Sequence, residues 1–432
     1  MKIAVLGLWH LGAVTAACAA SVGHDVFGID FAEETVAALN AGKAPLFEPG
    51  LDDLLRDGLA AARLRFSTSV SDAADADVLW VTYDTPVDDN DDADVDFVLD
   101  MIERVLPELR EGATILISSQ MPVGSVRRLE AFAKAILPDR QLSFAYSPEN
   151  LRLGKAIDVF LNPDRIVVGV RHEADRDRLS EMFGRITERI EWMSVESAEM
   201  TKHAINAFLA VSVTFVNEIA AICERVGADA KDVERGLKTE QRIGPKAYLS
   251  PGGPIAGGTL ARDIQFLNKT AAAHSLVSPL LSAVKLSNDE HKNWACRRLL
   301  SKFSDLSGQT IAIWGLTYKP GTNTLRRSSA IELCRWLLAR GAVLRLHDPA
   351  VDSLPGEFEG LARRWETPLD AATGAVALVV ATEWPLYREV DAADLTSVSP
   401  GIFVVDASRF ARQLANAPDI DYVAVGTPMR EI

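Results

Sequence analysis

The chain has 432 residues, too many for one ordinary domain and enough for two or three with cores of their own. Its apolar content of 48% and charged content of 24% are those of a soluble globular protein. The formal net charge of −15 argues against a nucleic-acid or anionic-membrane surface, but phosphorylated ligands stay open because backbone N–H groups at helix N-termini bind phosphate whatever the overall charge.

The chain opens on an apolar strand, MKIAVLGL, without a signal-peptide pattern, and no apolar run is expected to cross a membrane, so a cytoplasmic protein is expected. Apolar runs at Ile3–Leu8, Val26–Ile29, Val78–Val81, Thr114–Ile117 and Ile166–Val170 alternate with helical segments, as in a parallel sheet. The acidic run Asp88–Asp96 is expected to be a solvated loop rather than a metal site. Ala198–Val226 carries apolar residues at helical spacing without proline or glycine, which predicts a long helix serving as domain connector and dimer seam. Ala271–Phe303 is expected to continue as helix. Strand–helix alternation then returns with Ile311–Trp314, Val343–Leu346, Ala377–Ala381 and Phe403–Val405. The expected fold is α/β, with two Rossmann-like doubly wound domains flanking a central helical domain. Its boundaries are expected at 1–195, 196–303 and 304–432. Cys18, Cys223, Cys296 and Cys334 are scattered through apolar or helical segments, which suits buried small hydrophobes rather than a disulfide framework or metal motif.

Gly7, Trp9, His10, Leu11 and Gly12 follow the first strand and open a helix, and Asp30 closes the next strand. In that context the glycines predict a dinucleotide site, with Asp30 accepting from the adenosine ribose and disfavouring a 2′-phosphate; the expected cofactor is NAD. A purely structural βαβ unit is the alternative. Trp9 stands where the middle glycine usually lets the backbone approach the pyrophosphate, so the indole must point away or the cofactor must shift.

Further motifs run through the chain in order: Glu48-Pro-Gly-Leu, Thr85-Pro86, Gln120-Met-Pro-Val-Gly124, Ser147-Pro-Glu149-Asn-Leu151-Arg152-Leu153-Gly154 and Asn162-Pro-Asp-Arg-Ile-Val-Val-Gly169. Glu199-x-x-Lys202-x-x-x-Asn206, Arg242-Ile-Gly244, the loop Pro251–Asp263 (PGGPIAGGTLARD), Gly315–Thr322, His347-Asp-Pro and Thr382-Glu-Trp follow. Together they resemble the UDP-glucose/GDP-mannose dehydrogenase family over essentially the whole chain.

That resemblance implies NAD-dependent oxidation of a nucleotide-linked sugar. Lys202 and Asn206 lie four apart on one helix and can aim an ammonium and an amide at one oxygen; the resemblance makes them the oxyanion site. It makes Asp263 a proton relay and Glu149 a polar group at the sugar or water. It adds Thr85 and Gln120 to the cofactor site. Leu151, Arg152, Arg242, Gly257, Gly258, Lys319 and Arg326 fall at substrate-binding positions. Three family features of the second oxidation are replaced. Thr259 falls on the catalytic cysteine of PGxGYGGSCFPKD, Leu153 on a carboxylate, and Gln120 on a threonine. Arg262 stands for a lysine, and Asn323–Ser329 (NTLRRSS) for DDxRESP, which makes that region more basic or merely repacks it.

The expected activity is therefore one hydride transfer giving an aldehyde or ketone. Alternatives are four-electron oxidation to a uronate through a hydrated aldehyde, an NAD-retaining epimerase, and a non-catalytic nucleotide-sugar sensor. The expected partners are a UDP- or GDP-linked sugar and a second copy of the chain. No metal, nucleic acid or membrane is expected.

Overall fold

The computed structural model describes residues 1–86, 94–256 and 258–428. They group into two compact units, Met1–Ile205 and Asn206–Ile432.

The first unit is built on eight strands: β1 (Lys2–Leu6), β2 (Asp25–Ile29), β3 (Leu64–Ser67), β4 (Val78–Val81), β5 (Thr114–Ile117), β6 (Ser143–Tyr146), β7 (Ile166–Val170) and β8 (Ile190–Ser194). They lie in the order β3-β2-β1-β4-β5-β6-β7-β8. β4 and β5 are buried at every position, because helices cover both faces of the sheet and leave no polar side. The chain leaves β1 toward β2 and β3 and later resumes on the other side at β4. This reversal makes a switch point beyond the C-terminal end of β1, where open α/β sheets bind ligands. One pair departs from the expected parallel pattern: β6 and β7 are antiparallel, with Ala145 opposite Val170 and Tyr146 opposite Gly169. A Cβ on Gly169 would lie 2.7 Å from Ala198 Cβ, so glycine permits β7 to approach the long helix that follows β8.

That helix spans Val195–Val226, three residues more than predicted at its start, and runs through the boundary of the two units. It corrects one expectation: by length and composition it could cross a membrane. It also carries Lys202, Asn206 and Asn217 as buried polar groups, as a helix packed within a protein core does.

The second unit holds a six-stranded parallel sheet, β9 (Thr310–Trp314), β10 (Val343–His347), β11 (Ala362–Arg364), β12 (Ala377–Val380), β13 (Phe403–Asp406) and β14 (Asp421–Val423), in the order β11-β10-β9-β12-β13-β14. The helix expected over Ala271–Phe303 is broken. Its first part ends at Ala273, and separate helices cover Pro279–Lys292 and Trp294–Lys302. Pro279 cannot donate within a helix and instead starts one, after Ser275 turns through a positive φ of 56°. Of the acidic run, residues 88–93 lie outside the described residues; Asp94 caps the helix Val95–Glu103 by accepting from Phe97 N at 3.0 Å.

Candidate functional site

The first candidate site is the turn after β1. Gly7 takes φ +91°, where an L side chain is strained, and a Cβ there would meet the Tyr83 ring at 2.7 Å. Gly12 is equally constrained: its Cβ would stand 1.8 Å from Gly7 O. The helix His10–Ser21 therefore starts directly over the turn, with its first N–H groups free of intrahelical partners. Trp9 occupies the N-cap position with its side chain half exposed, so the indole turns outward rather than filling the cradle. Asp30 anchors the turn: Oδ2 accepts from Leu8 N at 2.7 Å and Oδ1 from Ala32 N at 3.0 Å. Each oxygen keeps a lone pair for a ribose hydroxyl. This donor set and the glycine cradle fit a dinucleotide.

His10 has a second role that its position in the fingerprint did not reveal. Its Nε2 lies 3.0 Å from Glu48 Oε2, and the buried Glu48 also accepts from Gly154 N and Ala156 N, both at 2.8 Å. One carboxylate thus ties the fingerprint helix to the Ser147–Gly154 segment. Thr85 and Gln120 are both buried, and Thr85 Oγ1 donates to Gln120 O at 2.7 Å, joining the loops beyond β4 and β5.

Lys202 is buried, and its Nζ donates to Glu149 O at 2.6 Å and to Glu149 Oε1 at 3.2 Å. Glu149 Oε2 accepts from Leu151 N at 2.8 Å, which closes the loop on itself. Arg152 is exposed and Leu153 half-buried. Glu199, one turn before Lys202, accepts from Gly124 N at 2.7 Å and Val126 N at 3.0 Å and so holds the Pro122–Gly124 turn in place. Burial raises its pKa and those two N–H donors oppose the rise.

In the second unit, Asn206 Nδ2 donates to Asp263, which is fully buried inside the helix Thr259–Ala273. Asp263 therefore lies within the helix rather than at its end and orients the Asn206 amide. Gly258 caps that helix with φ +126°, and Thr259, exposed, is its first residue. Gly257 lies outside the described residues.

Three residues that pattern reading missed hold the loop ahead of Thr259. Asn217 accepts from Gly252 N at 3.0 Å and donates to Gly253 O at 3.3 Å. Asn288 accepts from Ile255 N at 2.7 Å and donates to Ile255 O at 3.0 Å. His291 Nε2 lies 2.7 Å from Gly252 O, and burial lowers its pKa. Two side-chain amides thus replace a neighbouring strand. Arg242 is exposed and ion-paired to Glu240 at 2.9 Å; Lys319 is half-buried and Arg326 exposed.

The turn after β9 repeats the geometry of the first. Gly315 has φ +93°, Gly315 N donates to His347 O at 2.8 Å, and Leu316 N donates to Asp348 Oδ2 at 2.7 Å. All four thiols are buried and unlinked. Burial pushes Cys18 and Cys334 up to about 12 and Cys296 up to about 11, far from thiolate character at neutral pH.

Comparison with known proteins agrees with this geometry. Residues 1–187 match the model of the UDP-glucose/GDP-mannose dehydrogenase family, NAD binding domain; residues 196–290 match its central domain and 312–413 its UDP binding domain. A UDP-glucose 6-dehydrogenase of Pseudomonas aeruginosa is 34% identical over 90% of this chain and 89% of its own. One from Rhizobium meliloti is 34% identical over 99% of this chain and all of its own. The structure of a UDP-glucose dehydrogenase from Pyrobaculum islandicum superposes with a TM-score of 0.88 at 28% identity, covering 99% of this chain and 98% of the other.

Proposed function

Because the chain belongs to the UDP-glucose/GDP-mannose dehydrogenase family and is an NAD-dependent oxidoreductase of the nucleotide-sugar dehydrogenase class, we propose that it performs one hydride transfer on a UDP-linked sugar and stops at the aldehyde or ketone. The observation that carries this reading is the pairing of Thr259 at the expected nucleophile position with four thiols that are all buried. A threonine hydroxyl is a far weaker nucleophile than a thiolate and needs an activating base.

When bound, NAD supplies the hydride acceptor. Gly7–Gly12 and Asp30 would hold its pyrophosphate and ribose, with Thr85 and Gln120 nearer the reacting end. Lys202 can donate three hydrogen bonds and spends two on Glu149, so one remains for the sugar oxygen. Asn206 spends one amide hydrogen on Asp263 and keeps the other. The two residues, one helical turn apart, would steady the oxyanion as the alcohol proton leaves. Asp263 fixes the amide and is the proton relay. By the family resemblance, Leu151 and Arg152 of the first unit, and Arg242, Gly258, Lys319 and Arg326 of the second, are each assigned to nucleotide-sugar binding. The domain limits 1–195, 196–303 and 304–432 belong to this proposal. So do a cytoplasmic location and a homodimer. The dimer is supported by Phe208, Phe215 and Ile222, exposed at seven-residue spacing along the long helix.

The test counts NADH formed per product by mass spectrometry, with NAD and a panel of UDP- and GDP-sugars. One NADH and a product lighter by two hydrogens is expected; two NADH and a uronate would overturn the single-oxidation reading. The uronate remains the second reading because relatives at 34% identity bear the name UDP-glucose 6-dehydrogenase. In that case Glu149 or Asp263 must act as base for water.

A further inference from the structure

We propose that Arg104 holds the adenosine end of the cofactor and, in opposition to Asp30, sets the choice between NAD and NADP. The inference rests on NAD binding at the first glycine turn and not on the fate of the sugar.

Asp30 marks where the adenosine ribose ends on a dinucleotide fold, and Phe31 follows it directly. The guanidinium of Arg104, the residue that caps the helix Val95–Glu103, lies over the Phe31 ring with its central carbon 3.5 Å from the ring centroid. That is a tight stack for an exposed side chain. A guanidinium is planar and offers two faces. With its central carbon over Phe31 and the side chain exposed, the group can take a second flat partner, as adenine is. Among the described residues Arg104 forms no ion pair, and its polar contact there is a weak one, from Nη1 to the Met101 sulfur at 3.9 Å.

Tyr83 ties these groups together. Its ring lies against Gly7 and stacks edge-on with Phe97 at 5.6 Å, and its buried hydroxyl has no hydrogen-bond partner among the described residues. Burial raises the phenol's pKa, Asp30 adds to the rise, and Arg104 opposes it. Both charges therefore act on the same hydroxyl.

The chemistry of the pair follows. Asp30 accepts from ribose hydroxyls and repels a 2′-phosphate; a nearby arginine attracts one. Here both residues are present, so Arg104 serves NAD by stacking while Asp30 blocks the anion that Arg104 would otherwise take. Preference for NAD is then the balance of two side chains rather than a property of Asp30 alone.

The experiment is calorimetric titration of the full chain, without nucleotide sugar, using NAD, NADP, ADP-ribose and nicotinamide mononucleotide. Stacking of a base on a side chain predicts that Arg104→Ala weakens NAD and ADP-ribose by about tenfold and leaves the mononucleotide unchanged. Arg104→Lys keeps the charge but not the plane and should not restore NAD binding. Asp30→Asn, which retains an acceptor for Leu8 N, should raise NADP affinity by about tenfold or more, and Asp30→Asn with Arg104→Ala should lose that gain. Unchanged ADP-ribose affinity in Arg104→Ala would overturn the stacking role. An NADP gain that survives in the double variant would overturn the opposition to Asp30. Loss of mononucleotide binding together with NAD would reveal a folding defect and equally sink the proposal. Failure of every form, wild type included, to bind NAD would instead refute the underlying cofactor site.

Discussion

The turns after β1 and β9 share one backbone design and put it to different uses. Each begins with a glycine at φ near +90°, whose N–H donates back to the neighbouring strand, and each has an aspartate that accepts from the next residue's N–H at 2.7 Å. After Gly7 the helix starts at His10 and leaves its N-terminus open over the turn. After Gly315 the next helix does not start until Ser329, and the intervening loop folds back on the carboxylate. Asp348 Oδ2 accepts from Leu316 N, Thr317 N, Thr317 Oγ1 and Trp384 Nε1, at 2.7 to 3.1 Å, while Oδ1 takes Ala350 N. Asp30 accepts two such bonds. The same local geometry thus leaves one carboxylate with capacity for a ligand and saturates the other. What separates a carboxylate with free capacity from a saturated one here is the path of the chain after the glycine.

The harshest way to break the comparison is Gly12→Ala. A Cβ 1.8 Å from Gly7 O cannot be accommodated, so NAD binding and folding of the first unit should be lost, as read by calorimetry and circular dichroism. The second turn is no more forgiving at Gly315, where a Cβ would stand 2.3 Å from Thr382 Cβ, but Gly321, further along the same loop at φ +80°, has open space around it, so Gly321→Ala should cost only about 1 kcal/mol in urea unfolding.

Next in size are the two aspartates. Asp348→Ala strands several buried donors and should cost roughly 3–5 kcal/mol of stability with NAD affinity unchanged. Asp30→Ala should cost about 1–2 kcal/mol and weaken NAD about tenfold or more. Equal stability losses with no difference in NAD affinity would erase the distinction between the turns.

The smallest effect compares acid sensitivity across the units. The hydrogen bond from Arg171 holds Glu196 of the first unit at about 2, against an ordinary 4.5. In the second unit burial would raise Glu234, but hydrogen bonds from Lys231, Lys238 and Ser250 overcome it and hold it at about 2. A folded-state pKa below the unfolded one stabilises the fold above pH 4.5, and that contribution fades as pH falls toward 2. Glu196→Gln and Glu234→Gln should each cost about 1–2 kcal/mol at pH 7, after allowance for solvent screening, and the gap from wild type should close by pH 2. A gap that persists at pH 2 would mean that packing rather than charge is lost.

Much of the fold was legible. β4, β5 and β7 fall where the apolar runs predicted, because a strand buried on both faces has to be continuously apolar. The edge strands β3 and β11, with Arg65, Arg363 and Arg364, look like solvated loop and went unread. The break in Ala271–Phe303 was in principle visible at Pro279, which starts helices far better than it continues them.

The chain alone determined the family, the two glycine turns and the one-turn spacing of Lys202 and Asn206, because each rests on neighbours in sequence and on the fixed geometry of a strand or helix. Tertiary structure decided the rest. Glu48 binding His10, Asn217 and Asn288 holding the loop before Thr259, and Arg104 lying over Phe31 each join residues more than thirty positions apart. A polar side chain on a helix reads as a solvated face until folding brings it a backbone to bond, and no local pattern in the sequence records which backbone that will be.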